Sequence, residues 1–340
     1  MHKEIGIDLG GTTMLVCTAE GEIIAREPTV TSIVKENNRL YSIGREALDD
    51  VQDPSKGLYL FYPVRAKGLI GDDAATRTMV SYLIHLTCGN LIIKPRVLMG
   101  IPFDLKEEEE TLLEYTILHS GAREAFLVYT PVAAMVGMDI PPEEAVMIVD
   151  IGATHTNLML TGDGKILYKN TVHVGGDQFN RAIMDYLEKK HRIRINSRSA
   201  EGVKTRIGTV WINREERALD VRGINEEGAV AGVRISSREM FEALEEPTAC
   251  LISAICEAID KIPSAYVGAV FHRGILLCGG GACLDGLDKM ISGVTGVNTR
   301  VVDRPGDVVA IGLGKILSDL PTAMKNEDIN ISSRCFRAEL

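Results

Sequence analysis

Apolar residues cluster into short runs from the start of the chain. Ile5-Gly6-Ile7-Asp8-Leu9 reads as a strand, broken at Gly10-Gly11-Thr12-Thr13 and resumed at Met14-Leu15-Val16-Cys17-Thr18. Glu20-Gly21 turns the chain again and Ile23-Ile24 opens a third short strand, which predicts a β-meander with tight turns. Ala74 to Leu86 has helical spacing, with Met79, Leu83 and Leu86 on one side. Leu91-Ile92-Ile93 and Val97-Leu98-Met99 bracket Lys94-Pro95-Arg96 and suggest a buried strand. Asp104, with Glu107 three residues on, resembles a capped helix start, and the helix runs to about Ser120, where Gly121 ends it. Glu107 to Glu110 form a solvated first turn facing the helix dipole. Ala125 to Tyr129 is another strand, and Pro131 leads a helix from Val132 to Met138.

The pattern then starts again. Ala145-Val146-Met147-Ile148-Val149-Asp150 is an apolar strand ending in Asp, followed by the small and hydroxyl-rich turn Ile151-Gly152-Ala153-Thr154-His155-Thr156. Leu158-Met159-Leu160 resumes the strand and Gly162-Asp163-Gly164 turns it. Two copies of a strand–Asp–Gly–Thr–strand unit predict two lobes built alike, with the turns facing each other. Residues 185–245 are the most polar section and suggest a small subdomain. Pro247 opens a helix to about Lys261, and Gly274 to Cys278 is a buried strand entering Gly279-Gly280-Gly281-Ala282. A helix from Leu284 to Ile291 follows, and Pro321 to Leu340 reads as a loose polar tail.

Composition narrows the reading. A chain of 340 residues predicts about two domains, or one bilobal body, with a large core. Lys plus Arg is 37 against 47 Asp plus Glu, a net charge of −10, which argues against a nucleic-acid binder. It leaves phosphate ligands open, because Gly-rich turns hold them with backbone N–H groups. The seven cysteines are scattered with no Cys-x-x-Cys pair, and Cys17, Cys250, Cys256 and Cys278 lie in apolar runs. They read as buried thiols in a reducing cytosol. The N-terminus has no signal-peptide core, and no run of about 18 apolar residues occurs, so nothing is expected to span a membrane.

The turns carry the candidate chemistry. Gly10-Gly11-Thr12-Thr13 offers close backbone approach and two hydroxyls, and Asp8 sits where a carboxylate can hold Mg²⁺ through water. Asp150 with Gly152, Ala153, Thr154 and Thr156 offers the same in the second copy. Gly279-Gly280-Gly281, between a strand and a helix, is a third phosphate or nucleoside segment, and Gly175-Gly176-Asp177 before a helix is a fourth. Each alone is a weak signal; four in this order, with two matching hairpins, indicate nucleotide binding. There is no Gly-x-x-x-x-Gly-Lys-Ser/Thr loop and no Gly-x-Gly-x-x-Gly after the first strand.

This series resembles the actin-like ATPase superfamily of actin, Hsp70 chaperones and sugar kinases, and more closely the MreB family of bacterial rod-shape actin homologues. The matching stretches include Ile5-Gly6-Ile7-Asp8-Leu9-Gly10, Glu27-Pro28-Thr29-Val30, Lys94-Pro95-Arg96-Val97, Pro131-Val132-Ala133-Ala134 and Val149-Asp150-Ile151-Gly152. Gly175-Gly176-Asp177, Ala200-Glu201-Gly202-Val203-Lys204 and Gly274 to Gly281 continue them, with coverage of about residues 1–318. The resemblance implies an α/β, actin-like two-lobe fold, in which duplicated RNase H-like domains carry smaller inserted subdomains. Its boundaries place residues 1–32, 64–144 and 315–330 in the first core, 33–63 in its small subdomain, 145–183 and 247–314 in the second core, 184–246 in its small subdomain, and 331–340 in a tail. It implies ATP and Mg²⁺ in the cleft, with Asp8 and Asp150 at the metal, Glu201 and Lys204 near ribose and adenine, and Gly279 to Gly281 beneath the nucleoside. It also implies a cytoplasmic protein at the inner face of the membrane. There it would form homopolymer filaments that guide cell-wall synthesis, alongside that machinery or an MreB paralogue.

The sequence departs from this pattern where the family hydrolyses ATP. The family carries a glutamate just before the Pro-x-Ala-Ala stretch that helps position the attacking water; here that residue is Thr130. The second turn usually reads Asp-Ile-Gly-Gly-Gly-Thr-Thr-Glu, and here Ala153 and Thr154 add Cβ atoms where glycine takes unusual dihedrals. Asp150, Thr156 and Thr130 are the catalytic positions, and slow or impaired hydrolysis is expected. His155 has two readings, toward a γ-phosphate or packed away. Leu91, Ile92 and Ile93 also have two, as an apolar membrane-contacting tip or as the buried start of the next strand. The competing functions are a non-polymerising actin-like ATPase module acting on a partner, and a sugar-kinase-like phosphotransferase.

Overall fold

The computed structural model describes residues 4–64, 73–89, 94–212, 216–320 and 336–337. Leu91, Ile92 and Ile93 therefore lie outside the described residues, as does the tail apart from Phe336 and Arg337. The chain divides into two compact units, Met1–Pro142 with Asp307–Leu340, and Glu143–Gly306.

In the first unit the strands are β1 (Glu4–Leu9), β2 (Thr13–Thr18), β3 (Ile23–Pro28), β4 (Thr31–Val34), β5 (Leu40–Ile43), β6 (Leu58–Phe61), β7 (Arg96–Ile101) and β8 (Glu124–Tyr129). The helices are α1 (Arg45–Asp50), α2 (Asp73–Cys88), α3 (Glu107–His119) and α4 (Thr130–Gly137). The second unit contains β9 (Val146–Ile151), β10 (Thr156–Gly162), β11 (Lys165–Val172), α5 (Gly176–His191), β12 (Ile193–Arg194), α6 (Ser197–Ile207), β13 (Ala218–Asn225) and β14 (Val230–Ser236). It continues through α7 (Ser237–Ala243), α8 (Glu245–Asp260), α9 (Ser264–Arg273), β15 (Ile275–Cys278), α10 (Leu287–Thr295) and β16 (Thr299–Val301). The chain returns to the first unit with α11 (Val308–Ser318) and β17 (Phe336–Arg337).

Each unit is built on the same sheet. The first has the order β17-β8-β7-β1-β2-β3 and the second β11-β10-β9-β15-β16. In both, the leading strand pairs antiparallel with the next, which pairs antiparallel with a third; on its other side it pairs parallel with a later strand, itself parallel to a fifth. The small edge strand β17 is the one addition, with Phe336 opposite Ala125, so two residues of the expected loose tail are paired. The central strands β9 and β10 are buried at every position, because helices cover both faces of such a sheet. Three-stranded sheets β5-β4-β6 and β12-β13-β14 form the small additions to the two units.

Boundaries differ from the sequence expectation where packing decides them. The capping pair of α3 is Lys106 and Glu109 rather than Asp104 and Glu107, with the Glu109 carboxylate accepting the Lys106 N–H at 2.9 Å. Residues 280–283 form a 3₁₀ turn, so the helix expected from Leu284 begins only at Leu287. Helix α8 starts two residues before Pro247, which its first turn tolerates. Helix α11 packs whole against β1, β2 and α4, so residues 308–314 fall in the first unit, not with 247–314 in the second. That packing is close: a Cβ on Gly312 would lie 1.7 Å from the Ala133 carbonyl oxygen. Met79 and Leu83 are buried as their spacing predicts, but Leu86 is 49% exposed. Cys17, Cys88 and Cys278 are buried, whereas Cys250 is exposed and Cys256 half-buried.

Candidate functional site

In the first unit, Asp8 lies near the end of β1, with its Cα opposite Leu15 of β2. The Gly10 N–H closes the following turn on the Thr13 carbonyl at 3.1 Å. Thr29, just past β3 and fully buried, holds this turn twice. Its hydroxyl donates to the Gly10 carbonyl at 2.7 Å and its N–H donates to the Thr12 carbonyl at 2.9 Å. Three carbonyls of the turn are thus tied back into protein. Because β1, β7 and β8 run parallel, with Ile7 opposite Met99 and Ile101 opposite Tyr129, Asp8 and Thr130 belong to the same end of the sheet. Thr130 is the first residue of α4, and a Cβ on Gly100 of β7 would lie 3.1 Å from its methyl.

The second unit repeats the construction. Asp150 lies near the end of β9, with 8% exposure, and the Gly152 N–H closes its turn on the His155 carbonyl at 2.9 Å. The carbonyls of Gly152 and Ala153 are taken by the N–H groups of Gly176 and Asp177, at 3.0 and 2.8 Å. The Gln178 and Phe179 N–H groups donate to the Gly175 carbonyl, so all four leading donors of α5 are used within the protein. The Gly175-Gly176-Asp177 segment thus braces the second hairpin through its backbone. Ala153 and Thr154 are absent from the residues of positive φ, so their Cβ atoms carry no left-handed strain, contrary to the sequence expectation. The Thr156 hydroxyl is fully buried and donates to the Val174 carbonyl at 2.6 Å, tying β10 to the loop before α5. The His155 ring lies on the turn itself, with Nδ1 2.9 Å from the Thr154 hydroxyl.

The remaining second-unit residues gather at the same sheet end. Cys278 of β15 lies opposite Asp150 of β9, so Gly279 emerges beside the second hairpin. Gly279 has φ 78°, and a Cβ there would lie 2.3 Å from the Ile151 carbonyl oxygen and 2.8 Å from an Asp150 carboxylate oxygen. Only glycine fits that approach. Gly281 meets the Ile151 side chain equally closely, whereas Gly280 between them has nothing within 4 Å of its added Cβ. That open position, flanked by two closed ones, gives the segment a face on which a flat group could lie. On α6, Lys204 donates to the Gly176 carbonyl at 3.1 Å and to Glu201 at 2.8 Å, and Asn180 donates to the same Glu201 oxygen at 2.8 Å. Glu201 and Lys204 are thus held against the start of α5.

Asp8, Gly10, Gly11, Thr12, Thr13 and Thr130 therefore share one sheet end in the first unit. Asp150 to Thr156, Glu201, Lys204 and Gly279 to Gly281 share the corresponding end in the second. Neither Thr29 nor Asn180 carries a site signal in the sequence, although Thr29 lies inside Glu27-Pro28-Thr29-Val30. A buried hydroxyl two strands away from the turn it holds gives no local signal; only the antiparallel return of β3 brings it there.

The comparisons with known proteins agree with this architecture. A family model described as MreB/Mbl protein matches residues 2–325. The cell shape-determining protein MreB of Escherichia coli strain K12 is 31% identical over 324 residues, covering 93% of each chain. The cell shape-determining protein Mbl of Bacillus subtilis strain 168 is 28% identical over 329 residues, 96% of this chain and 98% of that protein. Among solved structures, MreB5 of Spiroplasma citri bound to ADP superposes with a TM-score of 0.88 at 23% identity, covering 96% of this chain and 99% of that one. A MamK double helical filament gives a TM-score of 0.78 at 18% identity, covering 94% and 98%. At these identities the structural likeness carries the fold, which is actin-like.

Proposed function

Because the chain belongs to the MreB/Mbl family of actin-like, cell shape-determining proteins, we propose that it binds Mg–ATP, with the Asp–Gly hairpin of each unit as a phosphate-binding element. We further propose that it assembles into filaments at the inner face of the cell membrane and guides cell-wall synthesis, with slow hydrolysis. One observation carries the reading: both hairpins close with the same Gly N–H to carbonyl bond and have their carbonyls drawn back into protein. A carbonyl facing a phosphate repels it, so a turn that has retracted its carbonyls is left with N–H groups and hydroxyls to offer.

The residues present fit the expected ligand. Asp8 and Asp150 would hold Mg²⁺ through water, and the ion would neutralise phosphate charge. The open face of Gly280, between two glycines that admit no Cβ, would receive the nucleoside, with Glu201 and Lys204 at its edge. Thr156 acts as a positioning residue, because its hydroxyl proton is committed to Val174. Thr130 orients water weakly, having no carboxylate to accept its proton. The ADP and AMPPNP states of the Spiroplasma protein and the MamK filament support these readings by likeness of fold.

The test is titration of the protein with a fluorescent ATP analogue and Mg²⁺. Saturable binding is expected, and Asp8→Ala and Asp150→Ala should each weaken it roughly tenfold or more. Wild-type affinity in both variants would remove the metal assignment.

A further inference from the structure

The two hairpins face one physical problem and solve it differently. Each must retract the carbonyl of its first glycine and one further carbonyl, so that neither opposes an anion. In the second unit the N-terminus of α5 does this with two backbone N–H groups, from Gly176 and Asp177. In both units a third strand returns after the hairpin, but in the first no such helix follows it, and Thr29, the residue just after β3, does both jobs. The Thr29 hydroxyl takes the Gly10 carbonyl and the Thr29 N–H takes the Thr12 carbonyl. Backbone N–H groups survive any substitution except proline, but a hydroxyl does not. The first hairpin is therefore set by a side chain, and the second is not.

We propose that Thr29 is the positioning residue of the first phosphate hairpin, acting by holding the Gly10 carbonyl away from the phosphate chain. The inference rests on the nucleotide-binding reading above. Thr29 touches no ligand in this role; it works through Gly10. Its hydroxyl is the essential group, since valine keeps its shape and its N–H bond to Thr12 while losing the proton donated to Gly10. The released carbonyl loses its partner in a part-buried setting, and turning outward, toward the space the phosphates need, gives it another. The loss should grow with the number of phosphates and be absent for the nucleoside alone.

Thr29→Val, Thr29→Ala and Thr29→Ser are compared with wild type for binding of adenosine, ADP and ATP with Mg²⁺, with folding checked by circular dichroism. The expected result is ATP affinity at least about fivefold weaker in the valine and alanine variants, unchanged adenosine affinity, and rescue by serine. Should valine not fold, alanine and serine still separate methyl from hydroxyl. Equal losses for adenosine and ATP, or valine binding ATP like wild type, would overturn the role of Thr29. Failure of the wild-type protein to bind ATP at all would instead overturn the nucleotide reading on which it stands.

Discussion

At the scale of single residues, chemistry is set by what surrounds each side chain. Cys17 shows this outside the site: it lies in β2 with its thiol 3.6 Å from the Gly6 carbonyl, and burial pushes its pKa up to about 12. It stays protonated and inert at neutral pH, as its apolar run implies. Cys250 lies in a run that looks equally apolar, yet it falls on the outer side of α8 and is exposed. The element each lies in and the side it faces, not local hydrophobicity, separate them. On the proposed function, Thr130 is the residue on which turnover would depend. It opens α4, where a carboxylate would be favoured by the helix dipole and would stand at the sheet end shared with Asp8. Thr130→Glu should raise the rate of phosphate release from ATP at least about tenfold, a part of the roughly 10² to 10⁴ that general-base groups contribute. An unchanged rate in a phosphate-release assay would place the lesion in the 153–155 turn instead.

At the scale of elements, the hairpins were legible because their signal is local: a strand, an Asp, small residues and a second strand. Helix starts were less so. The choice between Asp104 and Lys106 as the start of α3 rests on which carboxylate reaches back, and the first turn of α3 offers four glutamates. The Gly279–Gly281 segment divides by contact in a way that spacing cannot reveal. Gly279 is pressed on the Ile151 carbonyl and Gly280 is open. Gly279→Ala should destabilise the protein by more than about 2 kcal/mol, from positive φ and the backbone clash together. Gly280→Ala should leave the denaturation midpoint unchanged and weaken nucleotide binding. If Gly280→Ala bound ATP normally, the nucleoside would not lie on this face; a stable Gly279→Ala protein would contradict the close approach.

At the scale of the whole molecule, two units of one topology come from a chain that visits the first, builds the second and returns. That return is carried by α11, which packs on β1, β2 and α4 of the first unit. Family membership brings the expectation of assembly. Electron microscopy of the protein at micromolar concentration, with and without ATP and with lipid vesicles, should show filaments only with nucleotide, and sheets or filaments on the lipid. A chain that binds ATP yet remains monomeric in sedimentation would favour the non-polymerising module instead. Among the described residues no helix is long and apolar enough to cross a membrane.

The sequence by itself determined the two hairpins, the repeated strand pattern and the family, because each rests on residues adjacent in the chain. The fold's equivalence of the two sheets could be expected from that repeat. Tertiary structure alone decided which groups hold those hairpins: α5 for one and Thr29 for the other. It also decided that the Gly175–Asp177 donors are used internally, that Ala153 and Thr154 are unstrained, and that α11 belongs to the first unit. The physical reason is common to all of these. A hydrogen-bond donor far along the chain meets its carbonyl only through strand pairing and helix packing, and such pairings leave no trace in local spacing.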